Sequence, residues 1–323
     1  MSSFLNKITK KDLLTYFEVD EQLLSKDVID FLDKLFPIEY NELNFEEYQE
    51  YMTLVLQILN KLSFDIDFDR NWIVILQNIV DKQKKDVVNS LKPTWFRNDK
   101  FYVIDKKFCT TNTEVLDWKY QLAVRNIIFS KYLFDVENVY DFGSGSGINI
   151  YLVNQLFEKI KLHASDSSKV SVEILEELNN YLGIDVDYDM IDIKNKIDID
   201  IEPNSAVITT SALEQVGGDI DSFIDFVLEK KPKRVINIEP ILEFSHNNEF
   251  DNLMKLYCEK RNYLKYYYSK LLQLERENKI KILFKKRTRV GGLFIENSVI
   301  VWEVLWKYLQ LMWSGRTINH QTC

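Results

Sequence analysis

The spacing of apolar residues changes near residue 135. Before that point, apolar side chains recur every three to four positions, which is the spacing of a helix with one buried face. The segments with this pattern are 12–18, 25–35, 45–62, 72–87 and 113–134. The pattern predicts a helical N-terminal region.

After residue 135, short apolar runs alternate with amphipathic helices. The runs lie at 138–142, 162–165, 185–189, 206–210, 234–238, 280–286 and 298–304, and the predicted helices include a long one over 248–278. A strand, a helix and a second strand in succession build a parallel sheet. The alternation therefore predicts an α/β fold with a doubly wound, mostly parallel sheet of seven strands.

Glycine is scarce, and its distribution separates the same two regions. None of the nine glycines lies in the first 142 residues, whereas three occur in Asp141-Phe-Gly-Ser-Gly-Ser-Gly147. Because glycine supplies the conformations of tight turns, its absence predicts helices with ordinary connections in the first region. The glycine loop ends the first predicted strand, where a doubly wound sheet binds its ligand. A turn that only needs small residues is the alternative.

The glycine loop differs from two nucleotide-binding motifs. The dinucleotide pattern G-x-G-x-x-G is absent, because Ile148 and Ile150 stand at the third glycine position in its two possible frames. No lysine followed by serine or threonine ends the loop, so it is not a P-loop either. The pattern present is D-x-G-x-G-x-G, with an acid two residues before the first glycine.

Composition and charge narrow the class of protein. The chain has 46% apolar and 28% charged residues, enough to build a core, and its net charge of −9 argues against a nucleic-acid-binding protein. Three cysteines and three histidines are dispersed, so neither a disulfide framework nor a metal site is expected. No apolar run approaches the roughly 18 residues of a membrane span, and no signal peptide is evident. We expect a cytoplasmic protein.

The glycine loop resembles the cofactor motif of class I S-adenosylmethionine-dependent methyltransferases, and the resemblance covers about residues 136–304. It implies a Rossmann-like sheet with strand order 3-2-1-4-5-7-6 and an antiparallel last strand. It also implies that Asp141 orients the methionine ammonium, directly or through water, and that Gly143, Ser144, Gly145 and Gly147 surround the cofactor.

The second and third strands end in further candidate cofactor residues. Asp166, followed by Ser167, ends the second strand, where the family has an acid on the ribose; a carboxylate accepts two hydrogen bonds from a vicinal diol. Helix capping by Asp166 or Ser167 is the alternative. After the third strand, the resemblance assigns Asp192 to the adenine amino group and Ile193 to the ring. Asp189 is the competing position for this acid, and a solvated acidic turn is the competing interpretation.

The fourth and fifth strands carry the candidate substrate side. Ser211, Glu214 and Gln215 follow the fourth strand. The resemblance implies that this segment faces the transferring methyl group, with Glu214 as a catalytic residue and Ser211 and Gln215 at the cofactor. Ser211 with Glu214 also fits a helix capping box, which is the alternative. Glu239 and His246, near the end of the fifth strand, are candidate bases for an acceptor proton, although a lone histidine there is more often a surface residue. Basic residues at 285–289 either face an anionic acceptor or form a solvated loop.

A narrower resemblance concerns the acceptor. L-E-Q after strand four, E-P-I-x-E after strand five, R-N-Y on the next helix and R-T-x-x-G-x-L before the last strand are similar to a group of bacterial sugar O-methyltransferases associated with surface polysaccharides. The resemblance implies transfer of a methyl group from S-adenosylmethionine to a sugar or other small metabolite, with S-adenosylhomocysteine as product. A peptide or protein N-methyltransferase and a non-catalytic binding module remain the alternatives.

Two domains are expected from these patterns. Residues 1–112 would form a helical region that caps the substrate side or serves oligomerisation. Residues 113–323 would form the catalytic domain that binds S-adenosylmethionine.

Overall fold

The structure is a computed structural model that describes residues 5–62, 68–81 and 86–305. These residues contain two β-sheets. The helices are α1 Lys10–Phe17, α2 Lys26–Leu35, α3 Phe45–Lys61, α4 Phe68–Asp81, α5 Val87–Ser90, α6 Leu116–Tyr132, α7 Ile148–Leu156, α8 Lys169–Leu182, α9 Asp221–Lys230, α10 Glu249–Arg261 and α11 Tyr267–Arg276. The strands are β1 Asn6–Ile8, β2 Ile38–Glu42, β3 Tyr102–Ile104, β4 Lys107–Thr111, β5 Asn138–Phe142, β6 Lys161–Asp166, β7 Val186–Met190, β8 Ser205–Thr210, β9 Arg234–Glu239, β10 Ile280–Arg287, β11 Val290–Gly291 and β12 Ser298–Val304.

The larger sheet confirms the predicted α/β topology. Its strands follow the order β7-β6-β5-β8-β9-β12-β10, with β5 to β9 parallel and β12 antiparallel to both neighbours. Counted along the chain within this sheet, the order is 3-2-1-4-5-7-6, as the resemblance implies. The observed strand ends lie within one residue of the predicted runs. The central strands β5, β8, β9 and β12 are buried over nearly their whole length, as in a sheet covered on both faces. The edge strand β7 is instead exposed at four of its five residues.

The smaller sheet corrects the prediction of a purely helical N-terminal region. It has the order β1-β2-β4-β3-β11, and every neighbouring pair is antiparallel. Four of its strands lie before residue 112, beside the predicted helices. These strands have three to five residues, which is too short for an alternating pattern to stand out.

The absence of glycine before residue 142 predicts ordinary connections there, and the hairpin between β3 and β4 departs from this prediction. Asp105 and Lys106 join β3 to β4 with φ angles of 49° and 68°, the conformation that a two-residue hairpin requires. Arg289 stabilises this turn, since its Nε and Nη2 donate to the two Asp105 carboxylate oxygens over 2.7 Å. Tertiary contacts thus hold non-glycine residues in a conformation that glycine adopts more readily.

The predicted long helix over 248–278 is also interrupted. It forms α10 and α11, and Asn262 ends α10 in the left-handed conformation at φ 52°. Asparagine tolerates this conformation better than most residues. As a result Tyr263 leaves the helix axis, and its side chain lines the cavity described below.

Helix α6 connects the two regions. It contacts α1 and α2 on the N-terminal side, α7 on the large-sheet side, and β11. Fourteen of its seventeen residues are buried, including Asp117, Asn126 and Arg125. Within the ranges described above, no helix is long and apolar enough to cross a membrane.

Candidate functional site

A cavity of about 1180 Å³ opens at the carboxyl ends of the parallel strands. The loops after β5, β6, β7 and β8 form its floor. Residues from α4, from the segment 93–97, from α6 and from the segment 292–297 form the opposite wall. The volume exceeds the upper end of the usual range for a single small-molecule site, so it accommodates a cofactor together with a second ligand.

The glycine loop turns sharply between β5 and α7. Gly143, Gly145 and Gly147 all have positive φ angles, and the amides of Gly143 and Ser144 donate to the Ser165 carbonyl over 2.8 and 2.9 Å. A β-carbon on Gly143 would lie 2.4 Å from the Ala212 β-carbon, and one on Gly145 would lie 2.9 Å from the Trp72 ring. Gly143, Ser144 and Gly145 line the cavity.

Gly147 occupies a different environment from the other two loop glycines. It is absent from the cavity lining, and an added β-carbon there would lie 2.5 Å from Leu178 of α8. It is the N-cap residue of α7, with φ 74°. The structure therefore explains this glycine by helix packing, and not by direct contact with a ligand.

Asp166 lies in the cavity wall at the end of β6. Its Oδ2 accepts from the Gly145 amide over 2.8 Å and its Oδ1 from the Ser168 amide over 2.9 Å. Burial raises the pKa of this carboxyl, while the hydrogen bonds from the Ser168 and Gly145 amides lower it. Hydrogen bonds from the Ser171 hydroxyl and the Ser167 amide also lower the pKa of this carboxyl. The N-cap of α8 is Ser168, and Ser167 lines the cavity beside it.

Asp141 is buried beneath the glycine loop and does not line the cavity. Its Oδ1 accepts from Asn149 Nδ2 over 3.1 Å, and its Oδ2 has no partner. Burial raises the pKa of Asp141 to about 7, against the effect of Asn149 and Arg125. Asn149 does line the cavity.

The loop after β7 distinguishes the two candidate acids for the adenine. Asp192 and Ile193 line the cavity, whereas Asp189 lies exposed on β7 and does not. Asp192 accepts from the Lys194 amide over 2.9 Å and from Asn195 Nδ2 over 3.1 Å. The geometry therefore favours Asp192 over Asp189 as the residue facing a ligand.

The loop after β8 brings three predicted residues together. Ser211, Glu214 and Gln215 all line the cavity, and Gln215 Nε2 donates to Glu214 Oε1 over 2.9 Å. The turn at Leu213–Val216 has no side-chain cap, so the capping-box interpretation of Ser211 and Glu214 does not hold. Burial and the neighbouring Glu239 raise the pKa of Glu214 well above its usual range.

Glu239 holds this loop from below. It is fully buried, does not line the cavity, and accepts hydrogen bonds from the amides of Ala212, Leu213 and Glu214 over 3.1–3.2 Å. Burial raises its pKa to about 7, and these amides lower it. Its position is that of a residue that orients the Glu214 loop, so the prediction of Glu239 as the base has no geometric support.

His246 is exposed on the connection to α10 and is not part of the cavity lining. Its backbone amide donates to Asp251, which lies in the first turn of that helix. A general base must come within hydrogen-bond reach of the proton that it removes. The structure therefore gives no support to the prediction of His246 as a base.

The basic residues around position 287 are also directed away from the cavity. Arg287 forms ion pairs with the buried carboxylates of Asp251 and Glu296, both over 2.6 Å, and Arg289 pairs with Asp105. Neither arginine lines the cavity. The alternative that this cluster faces an anionic acceptor is therefore not supported.

Sequence reasoning missed the part of the cavity wall that α4, α6 and the segment 93–97 supply. Trp72, Phe68 and Trp95 form an aromatic cluster beside Gly145, with the Trp72 and Trp95 ring centroids 5.4 Å apart. No local pattern separates these residues from ordinary core aromatics. On α6, Asp117 and Arg125 line the cavity, and their polar spacing within a buried helix is a signal that could have identified them.

Comparisons with known proteins concern the fold. Similar solved structures include a SAM dependent methyltransferase from Aquifex aeolicus, 15% identical over 56% of this chain and 89% of that one (TM-score 0.41). Magnesium protoporphyrin IX methyltransferase (ChlM) from Synechocystis PCC 6803, solved with bound SAH, is 14% identical over 58% of this chain and 82% of that one (TM-score 0.44). TehB from Haemophilus influenzae is 12% identical over 62% and 69% (TM-score 0.42). No protein-family profile and no curated protein matches the sequence.

Proposed function

We propose that the protein is an S-adenosylmethionine-dependent methyltransferase that methylates a hydroxyl of a sugar or other small metabolite. The observation that carries the proposal is the pairing of Gly145 with Asp166 in one cavity wall. Bare backbone and a carboxylate lie side by side there, joined by the hydrogen bond from the Gly145 amide. This arrangement fits a nucleoside whose ribose hydroxyls donate to an acid while the loop contacts the chain attached to the sugar.

The residues present fit the cofactor at each of its parts. Asp166 would accept from the ribose hydroxyls, Asp192 from the adenine amino group, and Ile193 would pack on the ring. Gly143, Ser144 and Gly145 would contact the thioether chain through their backbone. Asp141, which accepts from Asn149, would orient the ammonium through that side chain, because Asn149 lines the cavity and Asp141 does not. When bound, S-adenosylmethionine supplies an electrophilic methyl group on a sulfonium.

Glu214 is the residue best placed to accept the proton of the acceptor hydroxyl. It lies in the cavity wall, and Gln215 donates to it while Glu239 fixes its loop. Because its pKa is raised, the carboxylate that can act as a base becomes populated only as the pH rises. Alignment of the acceptor with the methyl group supplies much of the remaining acceleration.

The N-terminal region supports the proposal by closing the site. Trp72, which packs beside Gly145, and the segment 93–97 line the cavity. We therefore propose that residues 1–112 shape acceptor choice, while residues 113–323 hold the cofactor and carry out the transfer.

Calorimetry with S-adenosylhomocysteine, followed by acceptor screening with methyl-labelled S-adenosylmethionine, tests the proposal. Label transfer to a nucleotide-sugar pool supports O-methylation of a sugar, and transfer to a peptide library supports the N-methyltransferase alternative. Cofactor binding without turnover on broad extracts favours a non-catalytic module. Absence of binding to the folded protein contradicts all three.

The proposed base is tested with the Glu214→Gln variant. Because general-base catalysis contributes about 10²- to 10⁴-fold, kcat on the identified acceptor should fall within that range. The rise of kcat with pH that is expected of the wild type should also disappear, while S-adenosylhomocysteine binding stays unchanged. A variant that keeps the wild-type pH profile contradicts the role of Glu214.

A further inference from the structure

The cavity extends beyond the part assigned to the cofactor. The residues proposed to hold the nucleoside follow β5, β6 and β7, and β8 lies on the other side of β5 from these two neighbours. On that side, the loop after β8, α10 and the segment 292–297 line the cavity. We call this part the acceptor end, and the residues that define it are Glu214, Tyr257, Arg261, Tyr263, Phe294 and Asn297.

Asn297 brings a buried hydrogen-bond acceptor to the acceptor end. The residue is 3% exposed, and its Nδ2 donates to Ser211 Oγ over 3.3 Å. Within the ranges that the structure describes, no group donates to its Oδ1. Leaving a buried acceptor unpaired costs free energy, so we expect Oδ1 to meet a donor when a ligand occupies the cavity.

The backbone holds Asn297 in a fixed relation to Glu214. The Asn297 carbonyl accepts from the Thr288 amide over 2.9 Å and from the Thr288 hydroxyl over 3.0 Å. The next residue, Ser298, pairs with Glu239 in the larger sheet, and the Glu239 carboxylate accepts from the Glu214 amide over 3.2 Å. Two acceptor side chains are thus attached to the same strand end, where they can meet two donors of one ligand.

The charge at the acceptor end favours a neutral donor over an ammonium. Burial and Glu239 raise the pKa of Glu214, and the positive charge of Arg261 opposes them. The Arg261 guanidinium lies 5.7 Å from the centre of the Tyr257 ring, which stacks on Phe294 with centroids 4.8 Å apart. A protonated amine beside Glu214 would be repelled by this guanidinium, whereas a hydroxyl would not. Aromatic rings with a few polar groups are typical of small-molecule sites.

We propose that Asn297 is a specificity-determining residue that accepts a hydrogen bond from a second hydroxyl of the acceptor, beside the hydroxyl whose proton passes to Glu214. The inference rests on the proposed function and narrows its acceptor class to compounds with two neighbouring hydroxyls, such as sugars and other polyols. Monohydric alcohols, phenols and amines lack the second hydroxyl and are excluded as good acceptors.

Deoxy analogues of the acceptor test the contact. The probes are the sugar labelled from the nucleotide-sugar pool and the analogues in which hydrogen replaces each hydroxyl next to the methylated one. For one analogue, the wild-type kcat/KM should fall about 10- to 100-fold, because Oδ1 of Asn297 is again left unpaired. In Asn297→Leu, which has a similar size and no polar atom, kcat/KM for the parent sugar should fall by the same factor. That analogue should then lose nothing further.

Three measurements keep the result specific. The affinity of Asn297→Leu for S-adenosylhomocysteine should stay within about twofold of the wild type, since the lost contact is made to the acceptor alone. Asn297→Asp retains an acceptor oxygen and should restore most of the discrimination between the sugar and its analogue. Asn252→Leu makes the same change at an exposed position of α10 outside the cavity lining and should alter neither rate nor affinity.

The outcomes separate this inference from the proposed function. A wild-type protein that methylates the sugar and all its deoxy analogues equally well overturns the second hydroxyl contact and leaves the methyltransferase intact; this result needs no variant to fold. An undiminished loss for the deoxy analogue in Asn297→Leu overturns the role of Asn297. Labelling of the peptide library alone, or S-adenosylhomocysteine binding without labelling of any acceptor, overturns the proposed function and the inference with it.

Discussion

The two walls of the cavity differ in which parts of the chain contribute their residues. The glycine-loop wall comes from consecutive strand ends of the larger sheet, so its side chains lie at predictable positions after β5, β6, β7 and β8. The opposite wall combines α4, the segment 93–97, α6 and the segment 292–297, which belong to distant parts of the chain. Topology fixes the first wall, and long-range packing fixes the second.

This difference suggests a division of labour. A ligand held by strand ends contacts backbone and short acidic side chains in a fixed geometry, as a common cofactor requires. A wall of aromatic and long side chains from several segments can vary with little effect on the sheet. We therefore expect substitutions in the glycine-loop wall to affect cofactor affinity more than substitutions opposite it.

The largest effect is expected for Gly145→Val. The residue has φ 54°, and any β-carbon would meet Trp72 at 2.9 Å, so the side chain would both strain the loop and displace Trp72 from the cavity wall. Binding of S-adenosylhomocysteine should fall below calorimetric detection. Gly183→Val is the matched control, since Gly183 has φ 65° with no atom within 4 Å of an added β-carbon. Retained binding in Gly145→Val would contradict the assignment of the loop.

Asp166→Asn should have the next largest effect. It keeps the size of the side chain but removes the charge that favours two ribose hydroxyl donors, so affinity for S-adenosylhomocysteine should weaken by about 1–3 kcal/mol. Asp189→Asn, on the neighbouring strand but outside the cavity lining, should leave the affinity unchanged. Equal affinities for the two variants would move the ribose contact to another residue.

Trp72→Ala probes the opposite wall, and a smaller change is expected. Loss of part of the apolar surface over Gly145 should weaken S-adenosylhomocysteine binding by about 1 kcal/mol, on the scale of ~25 cal/mol per Å². Trp95→Ala removes a ring of the same cluster that is 42% exposed and has no contact with Gly145 among the nearest atoms, so its effect should be weaker. A loss in Trp72→Ala as large as that in Asp166→Asn would break the proposed division between the walls.

Asp117→Asn should give the smallest effect, visible only in the pH dependence of stability. Burial raises the pKa of Asp117 to about 7, so the folded protein retains a proton that the unfolded chain releases near pH 4. The stability contributed by this proton is present at low pH and is lost as the pH rises from about 4 to about 7. Thermal melts at pH 5 and pH 8 should therefore differ less in Asp117→Asn than in the wild type.

A control variant isolates the contribution of Asp117. Asp225→Asn changes an exposed carboxyl on α9 and should leave the difference between the two melting temperatures as it is in the wild type. An identical pH dependence in the wild type and Asp117→Asn would show that the carboxyl is ionised in the folded state at pH 5.

The sequence was sufficient to predict the larger sheet and the positions of most residues in its cavity wall. Burial on both faces makes the central strands mostly apolar, and the carboxyl ends of the parallel strands then indicate where Asp166, Asp192 and Glu214 lie. The roles of these side chains toward a ligand remain predictions.

Contacts between residues far apart in the chain explain the features that the sequence pattern did not predict. The β3–β4 turn adopts positive φ without glycine because Arg289, 184 residues from Asp105, holds it. Glu239 has a carboxylate at the end of a strand, as a candidate base would. Only the structure shows that its oxygens accept hydrogen bonds from three backbone amides. The wall formed by Trp72 and Arg125 likewise depends on the packing of α4 and α6, which local periodicity does not encode.

The two-residue strand β11 completes the smaller sheet only late in the synthesis of the chain. It supplies the last neighbour of β3, from residues 290 and 291, whereas the rest of the smaller sheet is complete by residue 111. An emerging chain must therefore carry an open sheet edge through most of its synthesis, and open edges recruit other strands. Nascent chains stalled before residue 290 should be more prone to aggregate than chains stalled after it.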